Sequence, residues 1–159
     1  MPFPFNEEAI HPDTFKVLQR AGVEKSLLKD KQVTLSHVLI AFIWIGQFEA
    51  TNKAPAKLFR MYQLTYARVS DNDPVARPTS QDIDVYSQLV VEVVRRATQL
   101  SKGRQAIPAD ALIALVDVIE QFRDTSESRA AIKLLSRSSL VRDPETMRLD
   151  IIAAMESDN

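Results

Sequence analysis

The stretch His37-Val38-Leu39-Ile40-Ala41-Phe42 is apolar on nearly every side after its first residue, and a related stretch, Asp110-Ala111-Leu112-Ile113-Ala114-Leu115, follows 73 residues later. Such a run is typical of a helix that is buried on most of its faces. We expect this helix to extend over about 35 to 48, with Thr34 or Ser36 as its N-cap. The sequence therefore predicts a central helix and an equivalent second one.

Two further matches follow in the same order along the chain. Gln47-Phe48 matches Gln121-Phe122 after 74 residues, and Lys57-Leu58-Phe59 matches Lys133-Leu134-Leu135 after 76 residues. The prediction is an all-α fold in which two tandem, pseudo-symmetric four-helix repeats form one domain, because one half could not bury its apolar faces alone. The predicted ranges are 1–159 for the domain, 10–69 for repeat one, 70–80 for the linker and 81–155 for repeat two.

Helix boundaries can be placed from prolines, glycines and capping residues. The prolines that stand where a helical pattern begins are Pro12, Pro55, Pro108 and Pro144. Gly22 is expected to stop the first helix, after which a short segment continues or restarts it. Thr79 or Ser80 is expected to cap a long helix that carries Ile83 and Tyr86 inward and ends near Gly103.

The composition excludes several classes of protein. The chain has three glycines and eight prolines, which is a poor supply of the residues that tight β-hairpin turns need. The 20 basic and 21 acidic residues leave a net charge of -1, so we expect no nucleic-acid partner. The chain has no cysteine and no apolar segment of spanning length, so we expect a cytoplasmic protein without a membrane partner.

Catalytic constellations are not recognisable in the sequence. The two histidines, His11 and His37, do not form a His-Glu-x-x-His zinc motif, and no serine lies in Gly-x-Ser-x-Gly. We expect His37 to pack or cap at the start of its helix. The prediction is a protein that is not an enzyme, with no metal, no cofactor and no small-molecule substrate.

The chain resembles the double Clp-N motif, the N-terminal domain of Clp/Hsp100 AAA+ unfoldases. In that family's repeat, an isoleucine or valine is followed by a Gly-Thr-Glu-His-Leu-Leu-Leu pattern. The stretch Val33-Thr34-Leu35-Ser36-His37-Val38-Leu39-Ile40 aligns with it here, with His37 on the histidine of the family and Val38 to Ile40 on its leucine triplet. The positions that carry the motif are His37, Val38, Leu39, Asp110 and Leu112. The resemblance implies a module that recruits substrates or adaptors to an unfoldase ring. The chain has no Gly-x-x-x-x-Gly-Lys-[Ser/Thr] phosphate loop of its own.

The expected partner is a protein or peptide that binds an apolar groove between the repeats. The candidate partner-binding residues are Phe3, Phe5, Trp44, Phe48 and Tyr62. A second resemblance leaves another possibility open, since the stretch from Lys102 to Leu112 is similar to the loop and third-helix start of a histone fold. The alternative function is a free-standing structural subunit of a larger complex, which the second resemblance implies is histone-fold-like.

Overall fold

The structure is a computed structural model that describes residues 5–49, 54–78, 84–141 and 143–157. Within these ranges the chain forms eight α-helices, one 3-10 turn and no strand beyond two isolated β-bridges, which confirms the all-α class. The 3-10 turn spans Glu7–Ala9. The helices are α1 (Pro12–Leu27), α2 (Leu35–Phe48), α3 (Ala54–Met61), α4 (Tyr66–Val69), α5 (Gln88–Leu100), α6 (Pro108–Gln121), α7 (Ser126–Leu135) and α8 (Pro144–Ser157).

The core is built around α2 and α6, the two helices that the apolar stretches predicted. α1 packs along α2, α5 packs along α6, and α8 lies against both α6 and α3. Leu39 on α2 and Leu112 and Leu115 on α6 are completely buried. One continuous cluster of buried side chains includes residues from both halves of the chain.

Two short parallel backbone pairings join the halves. Ile10, just before α1, pairs with Ala106, just before α6; Val33, just before α2, pairs with Tyr86, just before α5. The His11 amide donates to the Ala106 carbonyl at 3.0 Å, and the Val33 amide donates to the Val85 carbonyl at 2.7 Å. Each pairing therefore ties the start of a helix in one half to the start of a helix in the other.

The expected stop at Gly22 was wrong, because α1 runs unbroken through it from Pro12 to Leu27. The carboxylate of Asp84 lies directly against Gly22, where a Cβ would collide with it. One turn later, the buried Lys25 Nζ lies 2.9 Å from Asp84 Oδ1. Gly22 therefore admits a distant side chain to the helix surface, and the helix continues past it.

The predicted start of α5 was also wrong. Thr79, Ser80 and Ile83 lie outside the described residues, and α5 begins at Gln88 with Ser87 as its N-cap. The Ser87 hydroxyl accepts a hydrogen bond from the Val90 amide at 3.2 Å. Because Val85 and Ser87 pair with Val33 in an extended conformation, the residues just before Ser87 cannot be helical.

The seam between the halves is closed at its centre. Side chains of α1, α2, α5 and α6 meet there and leave a cavity of only about 10 Å³. The helices of the two halves match in length only in part. α2 and α6 each have 14 residues, whereas the last helix of the first half, α4, has 4 residues and that of the second half, α8, has 14. The two-repeat arrangement stays a prediction.

Candidate interaction surface

The last turns of α2 carry an unusually close approach to α3. A Cβ placed on Gly46 would lie 3.1 Å from the Cα of Ala56, a distance at which α3 would have to move. Glycine at this position lets the two helices nearly touch. The crossing of Gly46 and Ala56 leaves one cleft on each side of it.

The first cleft, which we call the Pro108 cleft, lies between α1, α2, the start of α3 and the first residue of α6. Its volume is about 160 Å³. Apolar side chains form most of its walls, and charged side chains lie at its mouth. The residues that line it are Asp13, Lys16, Val17, Phe42, Ile45, Gly46, Glu49, Pro55, Ala56 and Pro108.

The second cleft, the arginine cleft, lies between the end of α2, α3 and the start of α4. It is shallower and wider, with a volume of about 490 Å³. Its floor is apolar and its walls carry arginine, glutamine and threonine side chains. The residues that line it are Ile43, Gly46, Gln47, Ala56, Phe59, Arg60, Gln63, Leu64, Thr65 and Arg68.

Trp44, a predicted partner-binding residue, makes contacts within the fold. Its indole Nε1 donates to the Pro74 carbonyl at 2.9 Å, and the Arg20 guanidinium lies 4.1 Å above its ring. The Phe48 ring lies 5.6 Å from that of Trp44. Trp44 therefore attaches the segment after α4 to α2, and only part of its surface remains accessible.

A buried polar network lies beneath these aromatic rings. Glu24 is completely buried and pairs with Arg20, whose Nη2 lies 2.5 Å from Glu24 Oε2. The Tyr66 hydroxyl donates to Glu24 Oε1 at 2.8 Å. Burial raises the pKa of Tyr66, so its hydroxyl stays protonated as a donor. The network fixes α1 against α4, since unpaired buried charges are costly.

The other predicted partner-binding residues have different environments. Phe48 is 43% exposed, so it is available to a partner. Phe5 is half-buried, and its ring lies in an edge-to-face arrangement with that of Tyr86, with centroids 5.0 Å apart. Tyr62 is buried and donates to Asp150 at 2.6 Å, so its ring offers no surface to a partner. Phe3 lies outside the described residues.

The residues at the motif positions either cap a helix N-terminus or are buried in the core. His37 and Asp110 are each the third residue of their helix, and each accepts a hydrogen bond from the amide of its N-cap residue. The Thr34 amide donates to His37 Nδ1 at 2.9 Å, and the Ile107 amide donates to Asp110 Oδ2 at 3.2 Å. Val38, Leu39 and Leu112 are buried in the core. The expectation that His37 packs or caps at the start of its helix is confirmed, since it does both.

A carboxylate that the sequence analysis did not single out, that of Glu127, lies at the N-terminus of α2. Glu127 Oε2 accepts from the Leu35 amide at 3.0 Å and from the Ser87 hydroxyl at 2.6 Å. This carboxylate joins the N-termini of α2 and α5 to α7. At the start of α6 the first residue is Pro108, which has no N–H to donate, and the Pro108 cleft opens there.

In the described ranges, no group of three histidine, aspartate or glutamate side chains is placed to hold a metal ion. None of the described helices combines the length and apolar character that crossing a membrane requires. Comparison with protein-family models and with curated proteins finds no match for this chain, so the resemblance to the Clp/Hsp100 N-terminal domain stays a prediction.

Proposed function

We propose that this chain is a protein-recognition domain that binds a partner helix or peptide by accepting an apolar side chain in the Pro108 cleft. The observation that carries the proposal is an apolar cleft left open between α1, α2 and α3, with charged residues at its mouth. Amphipathic helices bind such clefts through apolar anchors on one face, with polar residues at the edges. Binding is the whole mechanism, and no covalent bond is made or broken.

The walls of the Pro108 cleft favour an apolar anchor. Val17 and Phe42 are buried at its base, and Ile45 is half-buried at its side. Pro55 and Pro108 add two rigid rings. Removing an apolar side chain from water contributes about 25 cal/mol per Å² of buried area, so a single anchor can supply much of the affinity.

The cleft is also held in shape before any partner arrives. α1 is fixed against the second half by the Thr14 hydroxyl, which donates to the Ala106 carbonyl at 2.7 Å. Gly46 and Ala56 hold α2 against α3. A preorganised site loses little conformational freedom on binding, so more of the contact energy appears as affinity.

The charges at the mouth would orient the partner. Asp13 and Glu49 are acidic and Lys16 is basic, and all three side chains are exposed. Exposed charges of both signs favour one direction of the bound segment over the reverse, while they add little affinity of their own.

The resemblance to Clp/Hsp100 N-terminal domains extends this proposal to a cellular process, the delivery of proteins to an unfoldase. In that case the bound segment belongs to a substrate or adaptor, and the domain delivers it to an AAA+ unfoldase. The ATPase would be supplied by sequence outside these 159 residues, because they contain no phosphate loop.

The proposal is tested by selecting peptides from a phage-displayed library of helical sequences with the intact chain. The affinity of the enriched peptides is then measured for Ile45→Trp, in which the larger side chain fills the Pro108 cleft. We expect Ile45→Trp to weaken binding by about tenfold or more, which corresponds to about 1.4 kcal/mol. Amide shifts in ¹⁵N-labelled protein should cluster on α1, α2 and the start of α3.

The matched control is Val91→Trp, which places the same side chain on an exposed position of α5 outside both clefts. It should leave the affinity within about twofold. Peptides that bind Ile45→Trp as tightly as the unsubstituted chain, or that shift amides elsewhere, would contradict the proposal. Trp44 is a poor choice for this test, because its substitution removes the contacts to Pro74 and Arg20.

A further inference from the structure

The segment between α4 and α5 displays an apolar side chain on a turn. Residues 73–76 read Asp-Pro-Val-Ala, and we call them the Val75 turn. Val75 is 81% exposed, which is more than any other large apolar side chain among the described residues. The chain therefore carries on its own surface the kind of apolar anchor that a cleft of this chemistry accepts.

Three hydrogen bonds fix the Val75 turn in place. The Ala76 amide donates to the Asp73 carbonyl at 2.9 Å, and the Val75 amide donates to Asp73 Oδ1 at 3.0 Å. The Pro74 carbonyl accepts from Trp44 Nε1 at 2.9 Å. Aspartate in the first position of a turn and proline in the second favour this conformation. Val75 is therefore held ready for contact, and little conformational freedom is lost when it binds.

Charged side chains of opposite sign stand on either side of this valine. Asp73 precedes it and Arg77 follows it, and both are exposed. The mouth of the Pro108 cleft carries exposed Lys16 on α1 and exposed Glu49 at the end of α2. Within the part of the chain that the structure describes, Lys16, Glu49 and Arg77 form no ion pair. The turn and the cleft therefore carry complementary charges that are available to each other.

Glu49 is the carboxylate at the cleft that an outside cation stabilises most. It is the C-cap of α2, and negative charge is unfavourable at the C-terminus of a helix. The other carboxylate at the mouth, Asp13, lies in the first turn of α1, where negative charge is favourable, and 3.7 Å from His11 Nδ1. A guanidinium next to Glu49 offsets a repulsion that the chain leaves in place.

We propose that the partner in the Pro108 cleft is a second copy of this chain, which inserts Val75 between Ile45 and Pro108. The inference rests on the proposed function of that cleft and names its occupant. Ile45 and Pro108 are each only half-buried, so both present surface to an incoming side chain. The valine side chain is smaller than the cleft, whose volume is about 160 Å³.

The flanking charges set the direction of this contact. Asp73 of one copy pairs with Lys16 of the other, and Arg77 pairs with Glu49. The turn and the cleft are different surfaces, since Val75 does not line the cleft of its own chain. The contact is therefore head-to-tail, and each copy can bind one neighbour through its cleft and another through its turn. A contact with one anchor is small, so the association is weak and grows with concentration.

Sedimentation equilibrium of the whole chain, from micromolar to millimolar concentration, tests the proposal. We expect the average mass to rise with concentration, and Val75→Ser and Ile45→Trp each to weaken association by about tenfold or more. Mixed in equal amounts, these two variants should form a dimer of one copy of each and nothing larger, because one retains the cleft and the other retains the turn. The matched control, Val91→Ser at an exposed position of α5, should change the association by less than about twofold.

A charge exchange tests the same contact without altering the apolar walls of the cleft. Arg77→Glu and Glu49→Arg should each weaken association by about fivefold, because each brings two like charges together. The chain that carries both substitutions should recover most of the loss, since the pair is restored with its signs exchanged. Melting curves by circular dichroism establish that each variant is folded.

A chain that stays monomeric at millimolar concentration would overturn the proposal. Association that survives Val75→Ser, or a mixture of Val75→Ser and Ile45→Trp that stays monomeric, would do the same. If helical peptides bind the Pro108 cleft of a chain that does not associate with itself, this inference fails and the proposed function of the cleft stands. If the chain does associate through its turn and its cleft, the same peptides should dissociate it.

Discussion

At the scale of single residues, His37 combines burial with two hydrogen bonds. Nδ1 accepts from the Thr34 amide, and Nε2 lies 2.7 Å from Asp30 Oδ2. Because Nδ1 accepts, the proton of the neutral ring is on Nε2, which donates to Asp30. Burial lowers the pKa of His37 below its usual value of 6.5, and the bond to Asp30 offsets only part of that effect.

This residue leads to a prediction on the pH dependence of stability. The folded chain binds the His37 proton more weakly than the unfolded chain does, so the free energy of unfolding should fall as the pH drops below about 6.5. The loss should level off once the pH has passed the lower pKa of the folded state. Urea unfolding at a series of pH values between 8 and 5 measures it.

The control for this prediction is His37→Gln, which keeps an acceptor for the Thr34 amide but does not titrate. Its free energy of unfolding should change less over the same pH range than that of the unsubstituted chain. Parallel pH profiles would show that His37 does not contribute to the acid sensitivity.

At the scale of helices, the N-termini of α2 and α5 share one carboxylate. Glu127, in the first turn of α7, accepts from Leu35 at the start of α2 and from Ser87, the N-cap of α5. Negative charge is favourable at helix N-termini, because amide groups there lack partners within the helix. Three helices that are far apart in sequence are therefore joined at one side chain.

Removal of this carboxylate should be costly. Glu127→Ala leaves the Leu35 amide and the Ser87 hydroxyl without this partner, and we expect the free energy of unfolding to fall by about 2 kcal/mol. Arg129→Ala, on the exposed side of the same helix, should cost less than about 0.5 kcal/mol. Urea unfolding curves measure both changes, and equal losses would show that the junction contributes nothing specific.

At the scale of the whole molecule, the two halves depend on each other. Lys25 pairs with Asp84, Thr14 donates to the Ala106 carbonyl, and Ser138 donates to the Tyr62 carbonyl, all across the halves. α3 packs on α8, and α2 packs on α7. Each half alone would expose the apolar surface that these contacts cover.

We therefore expect the segments 5–78 and 84–157, produced separately, to remain largely unfolded. Far-ultraviolet circular dichroism and amide spectra of each segment, compared with those of the whole chain, measure this. A half that melts cooperatively on its own, near the temperature of the whole chain, would contradict the prediction.

Local patterns predicted most of the helices correctly. α2, α6 and α8 begin at or beside the expected residues, because capping residues and Pro108 or Pro144 mark helix starts through contacts within a single turn. The capping role of His37 followed from the same local geometry. Phe48 is exposed, whereas Tyr62 is buried because it meets Asp150 on α8. Asp150 lies 88 residues away in the sequence, so no local pattern near Tyr62 indicates that contact.

By itself, the sequence determined the all-α class, the two buried central helices and the prolines that open them, since these depend on neighbours within a few residues. The tertiary structure alone decided that α1 passes Gly22, that α5 starts at Gln88, and that clefts open on both sides of Gly46. Each of these features depends on residues distant in sequence: Asp84 against Gly22, Val33 paired with Tyr86, and Ala56 against Gly46. Local periodicity carries no information about such pairs, because they meet only when the whole chain packs.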